Sequence, residues 1–204
     1  MSTTGPAAGT VAPQRRMRAD ARRNFDLLVA SAADAIAERG ADDVSLEEIA
    51  RRAGVGIGTL YRHFPTRHSL LEAVFRDQVE AMARQAEDLR SSPAPASALE
   101  EWLRAMMVFG RTKRTLNAAI LATLGRDSEV YSMCGQLLRD ETAALVERAQ
   151  EAGVVRRDVL PLDVMRLVHG LIMAENASPG EEGQSDRMLA LVMAGLASSD
   201  QAQP

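Results

Sequence analysis

The sequence is poor in cysteine and in long apolar runs, and each shortage excludes a class of protein. Cys134 is the only cysteine, which excludes a disulfide within the chain and a multi-cysteine metal site, and fits a reducing compartment. No run of about 18 consecutive apolar residues is present, so no membrane-spanning helix is expected. Residues 1–17 lack the apolar segment of a secretory signal and are interpreted as a flexible tail. These features predict a cytoplasmic protein.

Aromatic residues are also scarce, at 3% of a chain that is 46% hydrophobic. The core must therefore consist of aliphatic residues, alanine and the ten methionines, a set that favours helices over sheets. Apolar residues recur at helical spacing, and no segment alternates convincingly with a period of two. The predicted fold class is all-α with about nine helices, near residues 19–39, 45–53, 57–64, 66–89, 97–112, 116–124, 128–152, 161–177 and 185–197.

Lysine is nearly absent, and the arginines are unevenly distributed. The net charge is −4, yet residues 1–67 carry ten arginines against eight acids, while the remainder is acidic. Five of these arginines fall between Arg15 and Arg23. A basic first third indicates nucleic-acid contact, and whether the five arginines touch DNA or form a solvated arm stays open.

Two short helices separated by Gly54-Val55-Gly56 form a helix-turn-helix pattern. Ser45 begins the first, and Glu48 three residues later predicts a reciprocal capping box. In the second helix Leu60 and Phe64 share an inner face. The outer positions carry groups that bond phosphates or base edges in a major groove, namely Thr59, Tyr61, Arg62 and His63.

The run from Arg18 to Leu71, above all SLEEIARRAGVGIGTLYRHF at residues 45–64, resembles the DNA-binding domain of TetR-family regulators. The resemblance implies a three-helix DNA-binding domain at 18–67 and an effector-binding and dimerisation domain at 68–198. Residues 199–204 are expected to form a disordered tail. It implies DNA contacts by Thr59, Tyr61 and His63, and phosphate contacts by Ser45 and Arg67. Ile57, at the start of the recognition helix, has no hydrogen-bonding group and can only touch a thymine methyl or pack internally.

The resemblance implies a homodimeric regulator of transcription that binds a palindromic operator of double-stranded DNA and that a small-molecule effector releases. Repression is the family's common mode, and activation is the alternative. A helical small-molecule-binding module without DNA function is the other alternative. No nucleophile, carboxylate pair or metal-ligand cluster is visible, so an enzyme, a cofactor and a metal are not expected.

Two side-chain stripes in the C-terminal part predict an effector pocket for an apolar or amphipathic compound. They are Trp102, Met106 and Phe109 on one helix and Met165, His169 and Met173 on another. An ordinary core with a satisfied histidine is the alternative. The last two predicted helices are apolar over a wide arc, which predicts a four-helix dimer interface. Its predicted residues are Val164, Val168, Leu171, Met188, Leu191, Val192 and Gly195.

Overall fold

The computed structural model describes residues 13–40, 43–112, 128–178 and 180–198, and within these ranges the protein is all-α, as predicted. Eight helices lie in these ranges. The helix predicted at 116–124 falls outside the described residues. The helices are α1 (Pro13–Arg39), α2 (Leu46–Ala53), α3 (Ile57–His63), α4 (Arg67–Arg90), α5 (Pro95–Thr112), α6 (Glu129–Glu151), α7 (Pro161–Ala177) and α8 (Gln184–Leu196). None of them is both long and apolar enough to cross a membrane.

Capping residues or a first-turn proline explain several of the helix starts. Ser128 accepts a hydrogen bond from the backbone of Tyr131 at the start of α6, and Pro161 occupies the first turn of α7. Two starts were predicted too late, since α1 begins at Pro13 rather than near residue 19, and α5 begins at Pro95 rather than near residue 97. The predicted N-terminal tail of residues 1–17 is therefore helical at its C-terminal end.

The first four helices pack around one apolar core, here called the N-terminal core. Leu28 and Ala32 of α1, Leu60 of α3 and Val74 of α4 are fully buried in it. The start of α6 closes this core with Val130 and Cys134, and Tyr131 stacks on Phe75 of α4 with ring centroids 6.1 Å apart. The N-terminal helices are thus packed directly against α6.

A second apolar core, here called the C-terminal core, lies between the end of α4 and helices α5 to α8. Leu99, Trp102 and Leu103 of α5 are fully buried there. Helix α4 contributes to both cores, with Val74 in the first and Met82 in the second. A displacement of α4 would therefore change the packing of both cores.

Candidate functional site

Helices α2 and α3 form the predicted helix-turn-helix. Gly54 ends α2 with a left-handed φ of 65°, a conformation that favours glycine, and its N–H bonds the last carbonyls of α2. Gly56 then starts α3 by accepting hydrogen bonds from Thr59 and Leu60. The tight turn holds the two short helices at a fixed angle, which is what presentation of α3 to a groove requires.

One side of α3 is anchored and the other faces solvent. Leu60 is fully buried and Phe64 nearly so, which fixes the helix against α1. On the opposite side Tyr61 is 45% exposed and Arg62 is exposed as well. Gly58 is also exposed, and a β-carbon there would meet no atom within 4 Å, so another molecule can approach the backbone closely.

Thr59 and His63, also predicted to face DNA, are only half exposed. The His63 ring packs edge-on against Phe25 of α1, with centroids 6.1 Å apart. One side of the imidazole is therefore used in packing, and the remainder is accessible. Ile57 is exposed, which removes internal packing as its role and leaves an apolar contact such as a thymine methyl.

Ser45 caps α2, as predicted, and its hydroxyl oxygen accepts the backbone N–H of Glu48 at 3.2 Å. The hydroxyl proton remains available to donate to a phosphate oxygen beside the helix N-terminus. The other half of the predicted capping box is wrong, because the Glu48 carboxylate is engaged by arginines of α1 and α2. A reciprocal box instead forms between Thr66 and Ser69 at the start of α4.

Glu48 is the centre of a charged cluster that the sequence analysis missed. Its carboxylate pairs with Arg39 at the end of α1 and accepts the Nε–H of Arg52 at 3.1 Å. Arg52 also reaches Glu38 of α1 at 2.8 Å. The hydrogen bond from Arg39 holds the pKa of Glu48 below its ordinary value, with a further contribution from Arg52. The cluster ties α2 to α1 and so fixes the base of the helix-turn-helix.

Arg67 begins α4, and its guanidinium donates a hydrogen bond to the carbonyl oxygen of Val44 at 2.5 Å. Val44 directly precedes the cap residue Ser45, so this bond joins the start of α4 to the start of α2. A guanidinium has five N–H donors, and one bond to Val44 leaves others for a phosphate. The predicted phosphate contact of Arg67 therefore stays a prediction, beside an observed structural contact.

The structure does not bring the six predicted pocket residues together within its described ranges. Trp102 and Met106 are buried in the C-terminal core, and Phe109 is partly buried between the two cores. Met165 is partly buried, but His169 is exposed and Met173 is 55% exposed. The expectation of one shared cavity is corrected. Helix α7 packs against the core through Val164 and Val168, whereas His169 faces solvent. Effector contact by Trp102, Met106 and Phe109 stays a prediction.

A buried polar group that the sequence analysis missed lies near the end of α7. Both carboxylate oxygens of Glu175 are shielded from solvent and have no hydrogen-bond partner among the residues that the structure describes. Along the helix Glu175 follows the buried residues Val168 and Ile172, and Ile172 approaches Gly110 of α5. A carboxylate shielded in this way costs free energy until a donor reaches it. Its place on the core-facing stripe of α7 was readable from the spacing with Val168.

Helices α7 and α8 leave an open apolar groove of about 520 Å³ on the surface. Leu191 is 74% exposed and Leu167 is 54% exposed in its lining, which also includes Leu171, Met188, Val192 and Gly195. Val164 and Val168 were also predicted to meet a partner, but both are fully buried in the subunit's own core. That part of the predicted interface is corrected, and Leu167 takes the outward position.

Two family models match the chain. One, described as bacterial regulatory proteins, tetR family, matches residues 28–74, which include the helix-turn-helix. The other, described as transcriptional regulator SbtR-like, C-terminal domain, matches residues 94–198. The second match alone covers just over half of the chain.

Solved structures give the same assignment, and a curated relative is also a transcriptional regulator. A TetR transcriptional regulator from Streptomyces coelicolor, SCO0520, is 34% identical with a TM-score of 0.72, covering 86% of this chain and 99% of that one. A TetR regulatory protein from Mycobacterium vanbaalenii is 31% identical with a TM-score of 0.70, covering 89% and 99%. The HTH-type transcriptional regulator SAR0097 of Staphylococcus aureus (strain MRSA252) is 37% identical over 79 residues, which are 37% of this chain. The match spans 40% of the length of that curated relative.

Proposed function

Because this chain belongs to the TetR family of transcriptional regulators, we propose that it is a homodimeric repressor, released from a palindromic operator by a small-molecule effector and acting in the cytoplasm. Regulators of this family bind DNA and small-molecule ligands and function as dimers. The observation that carries the proposal is the outer face of α3, where Tyr61 and Arg62 are exposed on a helix anchored by buried Leu60.

In the proposed complex α3 lies in the major groove. Tyr61 and Arg62 reach base edges or phosphates from the exposed face, and Thr59 and the free side of His63 add polar contacts. Ser45 donates its hydroxyl proton to a phosphate at the start of α2, and Arg67 contributes a further guanidinium contact. Phosphate contacts fix the register of the protein on the duplex, so that α3 alone reads sequence.

The groove between α7 and α8 supports the proposed dimer. Leu167 and Leu191 expose large apolar side chains in the lining of the same groove, and a second copy of the chain covers such a surface through two-fold symmetry. Gly195 carries no side chain and allows close approach of the partner helix. A two-fold dimer presents two copies of α3, which implies half-sites separated by whole helical turns.

The packing of helix α4 supports the proposed coupling between effector binding and operator binding. It contributes Val74 to the N-terminal core and Met82 to the C-terminal core, and its first residue, Arg67, bonds the segment before α2. An effector that favours a shifted α4 moves the helix-turn-helix away from its operator geometry. The carboxylate of Glu175, which has no hydrogen-bond partner within the described ranges, favours an amphipathic effector that carries a hydrogen-bond donor.

A gel-shift titration with duplex DNA from upstream of the protein's own gene tests the proposal. We expect a discrete complex that a scrambled duplex of equal length does not compete away. The variant Tyr61→Ala is expected to lose preference for the upstream duplex. Arg84→Gln is expected to retain it, because Arg84 is exposed and lies two residues after Met82, which packs in the C-terminal core. Equal affinity of the wild-type protein for upstream and scrambled DNA would contradict operator recognition.

A further inference from the structure

The N-terminal part of α1 carries a dense group of basic residues. Between Pro13 and Asp26 the sequence has five arginines and two aspartates, and the backbone of this whole stretch is helical. Arg18, Arg22 and Arg23 are exposed. Arg22 forms a surface ion pair with Asp26 at 3.3 Å, whereas Arg18 and Arg23 have no ion-pair partner among the described residues. Arg18 and Arg22 are four residues apart and share one face of the helix, whereas Arg23 lies about 140° around the helix from Arg18. We call Arg18 and Arg22 the α1 arginine surface.

The contact between Phe25 and His63 locates this surface relative to α3. Their rings pack edge to face with centroids 6.1 Å apart, and Phe25 also packs against Phe64. The start of α1 therefore leaves the domain beside the C-terminal end of the recognition helix. Arg18 lies two helical turns before Phe25, which is about 10 Å along the helix axis.

That distance matches the dimensions of a DNA groove. A major groove is about 12 Å wide and has phosphates along both edges. A helical segment that begins beside the end of α3 and runs for about 10 Å is long enough to reach from the groove to a bordering backbone. Each arginine guanidinium is always charged and can donate two parallel hydrogen bonds to one phosphate group. Charge and geometry therefore both suit nucleic-acid phosphates.

We propose that the α1 arginine surface is a second DNA-binding site, specific for backbone phosphates rather than bases, which extends the contact of each subunit beyond the recognition helix. The proposal rests on the DNA-binding function proposed above. The extra contacts raise affinity for every duplex equally and steepen the salt dependence of binding, because each neutralised phosphate releases counterions. They leave the choice of operator to α3.

The test compares two double variants of the full-length protein that lose the same charge. Arg18→Gln with Arg22→Gln removes both members of the surface, and Arg84→Gln with Arg157→Gln removes two exposed arginines elsewhere. Glutamine keeps helix propensity close to that of arginine. Affinity for the upstream duplex and for a scrambled duplex is measured by fluorescence anisotropy over a range of salt concentrations, and thermal unfolding confirms that both variants fold.

For the α1 variant we expect the slope of log K against log salt to flatten by about one unit per lost contact, on both duplexes alike. The control variant is expected to keep the wild-type slope. Equal slopes for the two variants, with preference for the upstream duplex intact, would overturn the α1 site alone. A slope difference without any preference between duplexes would support the α1 site and overturn operator recognition.

Discussion

Trp102 and Thr142 are joined by a hydrogen bond in the middle of the C-terminal core, with the indole N–H 2.9 Å from the threonine hydroxyl oxygen. Both residues are fully buried, and Thr142 donates its own proton to the carbonyl of Leu138 at 2.8 Å. Trp102 is the only tryptophan of the chain. The pair links α5 to α6 and satisfies a donor that water cannot reach.

Thr142→Val is expected to destabilise the fold by about 1–3 kcal/mol, because it keeps the side-chain shape but leaves the buried indole N–H without an acceptor. Urea unfolding followed by Trp102 fluorescence measures the change. Thr142→Ser, which keeps the hydroxyl, serves as the control and is expected to lose less. Equal stability of Thr142→Val and the wild-type protein would mean that the indole finds another acceptor.

Arg67 has an observed bond to Val44 and a predicted bond to phosphate, and the two roles are separable. For Arg67→Gln we expect a loss of about 1–3 kcal/mol in unfolding free energy from the broken bond to the partly buried carbonyl. We also expect the salt dependence of DNA binding to flatten by about one unit. A stability loss with an unchanged salt slope would restrict Arg67 to its structural role.

Helix positions in this chain were predictable where local chemistry sets both ends. Pro161 starts α7, and the predicted range 161–177 is the observed one, because a proline at the first turn needs no neighbour to act. The start of α1 was missed because the residues before Ala19 carry no apolar periodicity, although their backbone is helical. Helix α3 and its exposed Tyr61 and Arg62 followed from the position of Leu60 on the inner face.

Contacts between distant parts of the chain were not predictable in the same way. The spacing of apolar residues along α7 predicts a wide apolar arc. It does not show which part of that arc packs within the subunit, so Val168, rather than Leu167, was predicted to contact the partner subunit. The pairing of Arg39 with Glu48 depends on the angle between α1 and α2, whereas Arg52, four residues after Glu48, was readable from the sequence.

The ion pairs of Glu48 predict a pH dependence of stability. Its pKa is lowered in the folded protein, mainly by the hydrogen bond from Arg39, so the folded state favours the ionised form. This contribution is fully present above the ordinary pKa of 4.5 and is lost as the pH falls through the lower folded value. Melting temperatures of Glu48→Gln and the wild-type protein are expected to differ at pH 7 and to converge progressively as the pH falls from 4.5 through the lowered pKa.

Glu47 provides the matched control for that measurement. It is the preceding residue of α2, is exposed, and forms no ion pair with the described residues. Glu47→Gln is expected to follow the wild-type curve more closely than Glu48→Gln across the pH range. If the two variants gave the same curves, the stabilisation would be a general effect of acidic charge at the start of α2 and not of the arginine cluster.

The groove between α7 and α8 yields a prediction that separates assembly from folding. Leu191 is 74% exposed in the subunit, whereas Val168, on the neighbouring helix, is fully buried. Leu191→Arg is therefore expected to give a folded monomer, because the new charge is solvated in the subunit and would be unpaired only in the dimer. Val168→Arg is expected to unfold the chain. Sedimentation velocity and circular dichroism distinguish the two outcomes.

Leu27→Arg, on the exposed side of α1, introduces the same charge away from the groove and is expected to leave the dimer intact. Operator affinity of Leu191→Arg is expected to fall steeply, because a monomer engages one half-site with one recognition helix and loses the contribution of the second. A Leu191→Arg protein that sediments as a dimer and keeps its operator affinity would place the interface outside this groove, and the exposed leucines of α7 and α8 would then need a different partner.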